Sequence, residues 1–130
     1  MKVVFCSSAL LQNKKGQILL MSRKNKDVYK NYWEFPGGKL HNGETFITAL
    51  KRELDEELNL KIEIKNLKNP LFTKHHYKSF ILMMYTFVLN KWKGDIINKD
   101  KEKLIWVNKS QLKRIKLLPA NINIVNYLVK

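Results

Sequence analysis

The chain is short of several things that usually announce a function. It has one cysteine, Cys6, set in the apolar run VVFCSSALL, which excludes a disulfide framework and a thiolate metal cluster. Cys6 reads as a small buried hydrophobe, and a lone thiol fits a reducing compartment. The three histidines, His41, His75 and His76, show no zinc-ligand spacing, and the adjacent pair would face opposite sides of a strand. Long apolar runs are missing. The longest, FILMMYTFVL at 80–89, has ten residues, half of what a membrane-spanning helix needs. The N-terminal run MKVVFCSSALL is interrupted by Ser7 and Ser8 and is followed by strand-like residues from Ile18, so it does not read as a cleaved leader. These absences point to a cytoplasmic protein with no membrane partner. Acid is scarce as well, with 11 Asp and Glu against 25 Lys and Arg and a net charge of +14.

What is present is a globular composition, 45% hydrophobic and 28% charged, in 130 residues, enough for one domain spanning 1–130 with a single real core. All but three of the basic residues are lysines, and blocks such as KNLKNP and KNKDVYK mix lysine with asparagine rather than with aromatics. That pattern reads as a solvated basic surface shaped by compositional bias, with no stable nucleic-acid partner expected. Its field would still draw polyphosphate ligands in a salt-dependent manner. No self-complementary apolar stripe stands out, so a monomer is expected.

Lys2–Leu11 reads as a strand, NKKG at 13–16 as a turn and Gln17–Met21 as a second strand, an opening hairpin. A lysine-rich loop then leads to a short strand, YWEF, which Pro36-Gly37-Gly38 should break, because proline cannot donate to a ladder. Across 45–58, Phe46, Ile47, Ala49, Leu50, Leu54 and Leu58 recur at helical spacing. Strands are expected at Lys61–Ile64, Leu71–Tyr77, Phe80–Leu89 and Lys103–Val107, with a closing helix at Ile122–Val129. Strands mixed with two helices give an α/β or α+β sandwich. Trp33, Trp92 and Trp106 read as packing residues.

Six of the scarce acids lie between Glu34 and Glu57. Glu53, Glu56 and Glu57 stand at i, i+3 and i+4, so a helix puts all three carboxylates on one face, where they repel by roughly 0.2–0.5 kcal/mol per pair. Asp55 falls off that face as a solvated charge, while Phe46, Ile47, Leu50 and Leu54 would anchor the opposite side. An oxygen-only donor set of this density suits a hard cation such as Mg²⁺, which completes its shell with water and phosphate oxygens. The bland alternative is an exposed acidic face neutralised by lysines.

The wider spacing separates these readings. From Gly38, five residues lead to Glu44, and seven more to Arg52-Glu53-Leu54, followed by Asp55, Glu56-Glu57, Leu58, Asn59 and Leu60. This resembles the Nudix box of nucleoside-diphosphate-linked hydrolases along its whole length, with Asn59 where the family usually has glycine. Asparagine is the next most tolerant residue of a left-handed helix end, so the departure should cost little. The resemblance implies a Nudix-type α/β/α sandwich with a mixed central sheet and a catalytic loop–helix. It assigns metal binding to Glu53, Glu56 and Glu57 with the Gly37 carbonyl, using Mg²⁺ or Mn²⁺ as a substitute. Arg52 would orient a glutamate rather than touch metal, and Glu44 would support the loop–helix geometry. A late acid is expected near the metal site, at Asp100 or Glu102.

Outside the box, WEFPGGK at 33–39, Arg23 after the second strand and LPAN at 118–121 resemble the MutT-like branch, which hydrolyses nucleoside triphosphates to monophosphate and pyrophosphate. By that resemblance Asn121 would read an oxidised purine such as that of 8-oxo-dGTP, its amide offering both donor and acceptor. Arg23, Glu34, Phe35, Gly38, Lys39 and Tyr77 would line the substrate pocket. The bland readings are a helix cap for Asn121, core for Phe35 and a surface cation for Arg23. The expected role is sanitation of the DNA precursor pool. The alternatives are a pyrimidine substrate such as CTP or methylated dCTP, RNA 5′-end processing, or a non-catalytic module that binds nucleic acid or protein. All the box glutamates are present, which counts against the last.

Overall fold

The computed structural model describes residues 1–128. Four strands form one sheet in the order β4-β1-β6-β5, where β1 is Lys2–Leu11, β4 Gly37–Lys39, β5 Lys68–His76 and β6 Phe80–Leu89. Three form a second sheet in the order β3-β2-β7, where β2 is Ile18–Ser22, β3 Trp33–Glu34 and β7 Leu104–Val107. β1 runs parallel to β6 along its full length and antiparallel to β4, so the first sheet is mixed. Helix α1 (Phe46–Leu58) packs on β1 and β4, and α2 (Pro119–Leu128) packs on β5.

Strict alternation along β1 and β2 builds a core on each side of the strands. Ala9, Leu11, Leu19 and Met21 meet Leu50, Leu54 and Leu58 of α1. Leu10, Ile18 and Leu20 meet Leu117, Ile124 and Val125 on the α2 side. Both clusters draw on both sheets, which makes an α/β/α sandwich. Trp33 packs against the α2-side cluster, Trp92 and Trp106 against the α1-side one.

Three expectations need correction. β1 and β2 do not form a hairpin: they share one bridge, Gln12 with Ile18, and then enter different sheets. The turn itself is built as expected, with Asn13 Oδ1 accepting from the N–H groups of Lys15 and Gln17. Residues 61–64 are not a strand: Lys61 makes one bridge to Lys93, and a single 3₁₀ turn spans Ile64–Asn66. Pro36-Gly37-Gly38 does break the YWEF strand: β3 ends at Glu34, and the glycines open β4 in the other sheet. The closing helix starts earlier than expected, because Pro119 occupies its first position, where a missing N–H costs nothing. Val129 lies outside the described residues.

Candidate active site

A cavity of about 680 Å³ opens between the first sheet, the box helix and the start of α2. The acidic helix that forms one wall is well bounded. Thr45 and Thr48 exchange side-chain and backbone hydrogen bonds at its start. At its end Asn59 takes φ 62° and ψ 29°, the left-handed conformation expected of that position.

The segment before the helix fits closely against both β1 and the carboxylates. Gly37 has φ 149°, and a β-carbon there would run into the Ser7 carbonyl. A β-carbon on Gly38 would run into the Glu53 carboxylate. These two glycines let a strand pass between β1 and the acidic face. In that position the Gly37 N–H donates to Glu57 Oε1 at 3.1 Å.

Arg52 organises the other acids. Its Nε and Nη2 donate to the two oxygens of Glu44 at 2.8 and 2.9 Å, a bidentate pair. Its Nη1 reaches Glu53 Oε1 at 2.9 Å and Glu56 Oε2 at 3.2 Å, and Nη2 also donates to the Lys39 carbonyl at 2.9 Å. Glu44 further accepts from the His41 N–H at 2.7 Å, and these partners hold its carboxyl down at about 2. Glu53 is pushed up, chiefly by burial, although Arg52 pulls the other way.

Glu57 is the extreme case, being 8% exposed. Burial first, then the charges of Glu53, Glu34 and Asp100, push it up to about 9. The groups around the cavity thus concentrate negative charge that Arg52 only partly offsets. As the side chains stand, no three acidic, histidine or cysteine groups among the described residues converge enough to hold one ion, because Glu53 and Glu56 turn towards Arg52. The chemistry of the set nonetheless fits a hard divalent cation: the donors are all oxygen, and a cation beside Glu57 would relieve the repulsion that raises it.

The two late acids divide clearly. Asp100 lines the cavity and adds to the charge on Glu57. Glu102 is 3% exposed and fully engaged, accepting from Ser22 Oγ and Lys24 N at 2.8 Å and from Asn25 N at 3.0 Å. It pins the loop after β2, next to Arg23.

Arg23, Glu34, Phe35, Gly38, Lys39, Tyr77 and Asn121 all line the same cavity. Arg23 Nη1 pairs with Glu34 Oε1 at 2.8 Å, both side chains being largely buried, and burial raises Glu34. Asn121 is 4% exposed, and its Oδ1 accepts from the Phe35 N–H at 3.3 Å. It lies inside α2 rather than capping it. Leu118, before the helix, has no side-chain acceptor, and the Tyr77 hydroxyl instead accepts from the Ala120 N–H at 3.2 Å. One short segment therefore ties the two groups of residues together, Phe35 to Asn121 and Gly37 to Glu57.

Cys6 and Tyr29 also line the cavity and were not anticipated there. Cys6 is half-buried on the cavity face of β1, where burial pushes its thiol up to about 11. Its alternation with Val4 and Ser8 was the available signal. Tyr29, in the lysine-rich loop, meets the Tyr77 ring at 6.0 Å and had none.

Comparison with known proteins agrees with this arrangement. The profile described as NUDIX domain matches residues 6–128. The 8-oxo-dGTP diphosphatase of Haemophilus influenzae is 30% identical over 130 residues, covering 98% of this chain and 93% of that protein. The CTP pyrophosphohydrolase of Escherichia coli is 26% identical over 125 residues, covering 94% of this chain and 88% of that protein. The structure of MutT protein from Methanosarcina mazei superimposes with a TM-score of 0.84 at 18% identity, covering 97% of this chain and 92% of that one, a likeness of fold. With the box residues gathered on one cavity and the profile spanning nearly the whole chain, the protein belongs to the NUDIX domain family and is a Nudix hydrolase.

Proposed function

We propose that the chain hydrolyses nucleoside triphosphates to the monophosphate and pyrophosphate, with oxidised purine nucleotides such as 8-oxo-dGTP as preferred substrates. The observation that carries the reading is the buried Asn121 amide, which lines the same cavity as the carboxylates. A divalent cation, Mg²⁺ or Mn²⁺, held by Glu53, Glu56 and Glu57, would neutralise the polyphosphate and supply an activated water. Arg52 sets the orientation of Glu53 and Glu56, and Lys39 adds positive charge for phosphate oxygens. Asp100, rather than the fully engaged Glu102, is available to take a proton. At the base, the Oδ1 atom of Asn121 is directed to Phe35 N–H, which leaves its NH₂ to meet a carbonyl oxygen of the base, while Phe35 and Tyr77 offer apolar walls.

The resemblance to a CTP pyrophosphohydrolase supports a second reading, in which the chemistry is kept and the base is a pyrimidine. Pyrimidines also present ring carbonyls to an amide donor. The test is a panel of nucleoside triphosphates, including 8-oxo-dGTP and CTP, assayed for pyrophosphate with Mg²⁺ and with chelator. Fastest turnover of 8-oxo-dGTP, abolished by chelator, is expected. Preference for CTP would replace the purine reading, and no turnover of any nucleotide would remove both.

A further inference from the structure

The four-stranded sheet has a second face, turned away from the cavity. Val4, Cys6, Leu82 and Met84 point into the cavity, so their neighbours point out of the back. Cross-strand register sets Phe5, Met83 and Lys74 in one row there, with Val3, Ile81 and His76 in the next and Tyr85 beside Phe72. Helix α1 covers only the far end of this face, where Ala9 and Leu11 pack. At the uncovered end Phe5 is 46% and Phe72 48% exposed. The rings form a connected run: Phe5 to Phe46 at 6.2 Å, Phe46 to Tyr85 at 4.9 Å, and Tyr85 to Phe72 at 5.2 Å.

Charge decides what fits. The four strands of this sheet contain no carboxylate, and exposed Lys74 and His76 stand among the rings. A second copy of the chain would bring a further +14 to the same place. A partner with planar rings and a regular negative backbone matches both features, and a single strand, unlike a duplex, offers its base faces. Ser7, on this face, spends its hydroxyl on the Phe46 carbonyl at 2.6 Å and is not free for a ribose 2′-hydroxyl.

We propose that this face is a stacking platform for single-stranded DNA, independent of the nucleotide that occupies the cavity. Phe5 and Phe72 stack on bases, and Lys74 meets the backbone. Aromatic and lysine residues that are apart in the sequence are interleaved in space by strand pairing, which revises the expectation of a merely solvated basic surface.

The test is anisotropy titration with a labelled oligothymidine of about ten nucleotides, a matching duplex and oligouridine. Tighter binding of oligothymidine than of duplex or oligouridine is expected. Phe72→Lys discriminates sharply, since it adds charge but removes a ring: stacking predicts about tenfold or more weaker binding, diffuse attraction predicts tighter. Phe5→Ser should weaken binding similarly, and Lys74→Ala should reduce the salt slope by about 0.7. Turnover should be unchanged in all three, since none touches the cavity, and melting should fall by no more than a few degrees in the two ring variants, the cost of one aromatic contact each. Equal affinity for duplex, preference for oligouridine, or undiminished binding by Phe72→Lys would each overturn the proposal. So would a concentration-dependent dimer that Phe72→Lys abolishes, which would assign the face to a second copy.

Discussion

Arg52 is the residue through which the acidic cluster is held together, because its guanidinium reaches Glu44, Glu53 and Glu56 at once. Glu53 is one of those partners and also lies against Gly38, so an isosteric change should leave its packing intact while removing its charge. Glu53→Gln is expected to keep the melting temperature within a few degrees and to lower turnover by about 10²-fold or more; single-turnover assays on the variant check it. Glu44 allows a different measurement. Its carboxyl lies at about 2 against an ordinary 4.5, so the folded state prefers the charged form. The stabilisation is complete above pH 4.5 and is lost as pH falls towards 2. Melting curves of wild type and Glu44→Gln should therefore be separated at neutral pH and converge on acidification through that window. Glu53, Glu56 and Glu57 were legible because helical spacing alone puts them on one face. The engagement of Glu102 was not, because only the fold reveals that its carboxylate is consumed by the loop at 22–25.

Helices were legible as elements, and strand partners were not. The apolar period of α1 and its left-handed Asn59 end follow from local chemistry, whereas the β1–β6 pairing depends on residues far away in the chain. The apparent hairpin failed for that reason: the turn at 13–17 forms, but β1 pairs more extensively with β6 than with β2. Likewise 61–64 has strand-like residues but no long partner. The start of α2 is a further non-local feature, since a tyrosine on the segment after β5 supplies the hydrogen bond that Leu118 cannot. Tyr77→Phe should leave the Ala120 N–H without that partner and cost about 1 kcal/mol. A urea midpoint lowered without a change in m-value would show it; an unchanged midpoint would mean that the bond contributes nothing to α2.

At the scale of the whole molecule, a +14 chain places six of its 11 acidic residues on the lining of one cavity. The surrounding field should accelerate encounter with polyanionic substrates without altering the chemical step. Raising ionic strength from about 50 to 300 mM should thus reduce kcat/KM severalfold and leave kcat nearly unchanged; a salt-independent kcat/KM would show that steering is negligible. The pairing of β1 with β6 has a further consequence, for how the chain reaches this state. Ten residues of β1 lie alongside ten of β6 as a central pair, with residues 12–79 made in between. Folding must close that long loop before the central ladder forms, so refolding should be slow for the chain's size, in the millisecond-to-second range. During synthesis, β1 has only the short β4 to pair with in its sheet until residues 80–89 follow. A nascent chain paused before Phe80 therefore exposes β1, the longest strand made by then, as an open edge, and that species, not the folded protein, is where aggregation should begin.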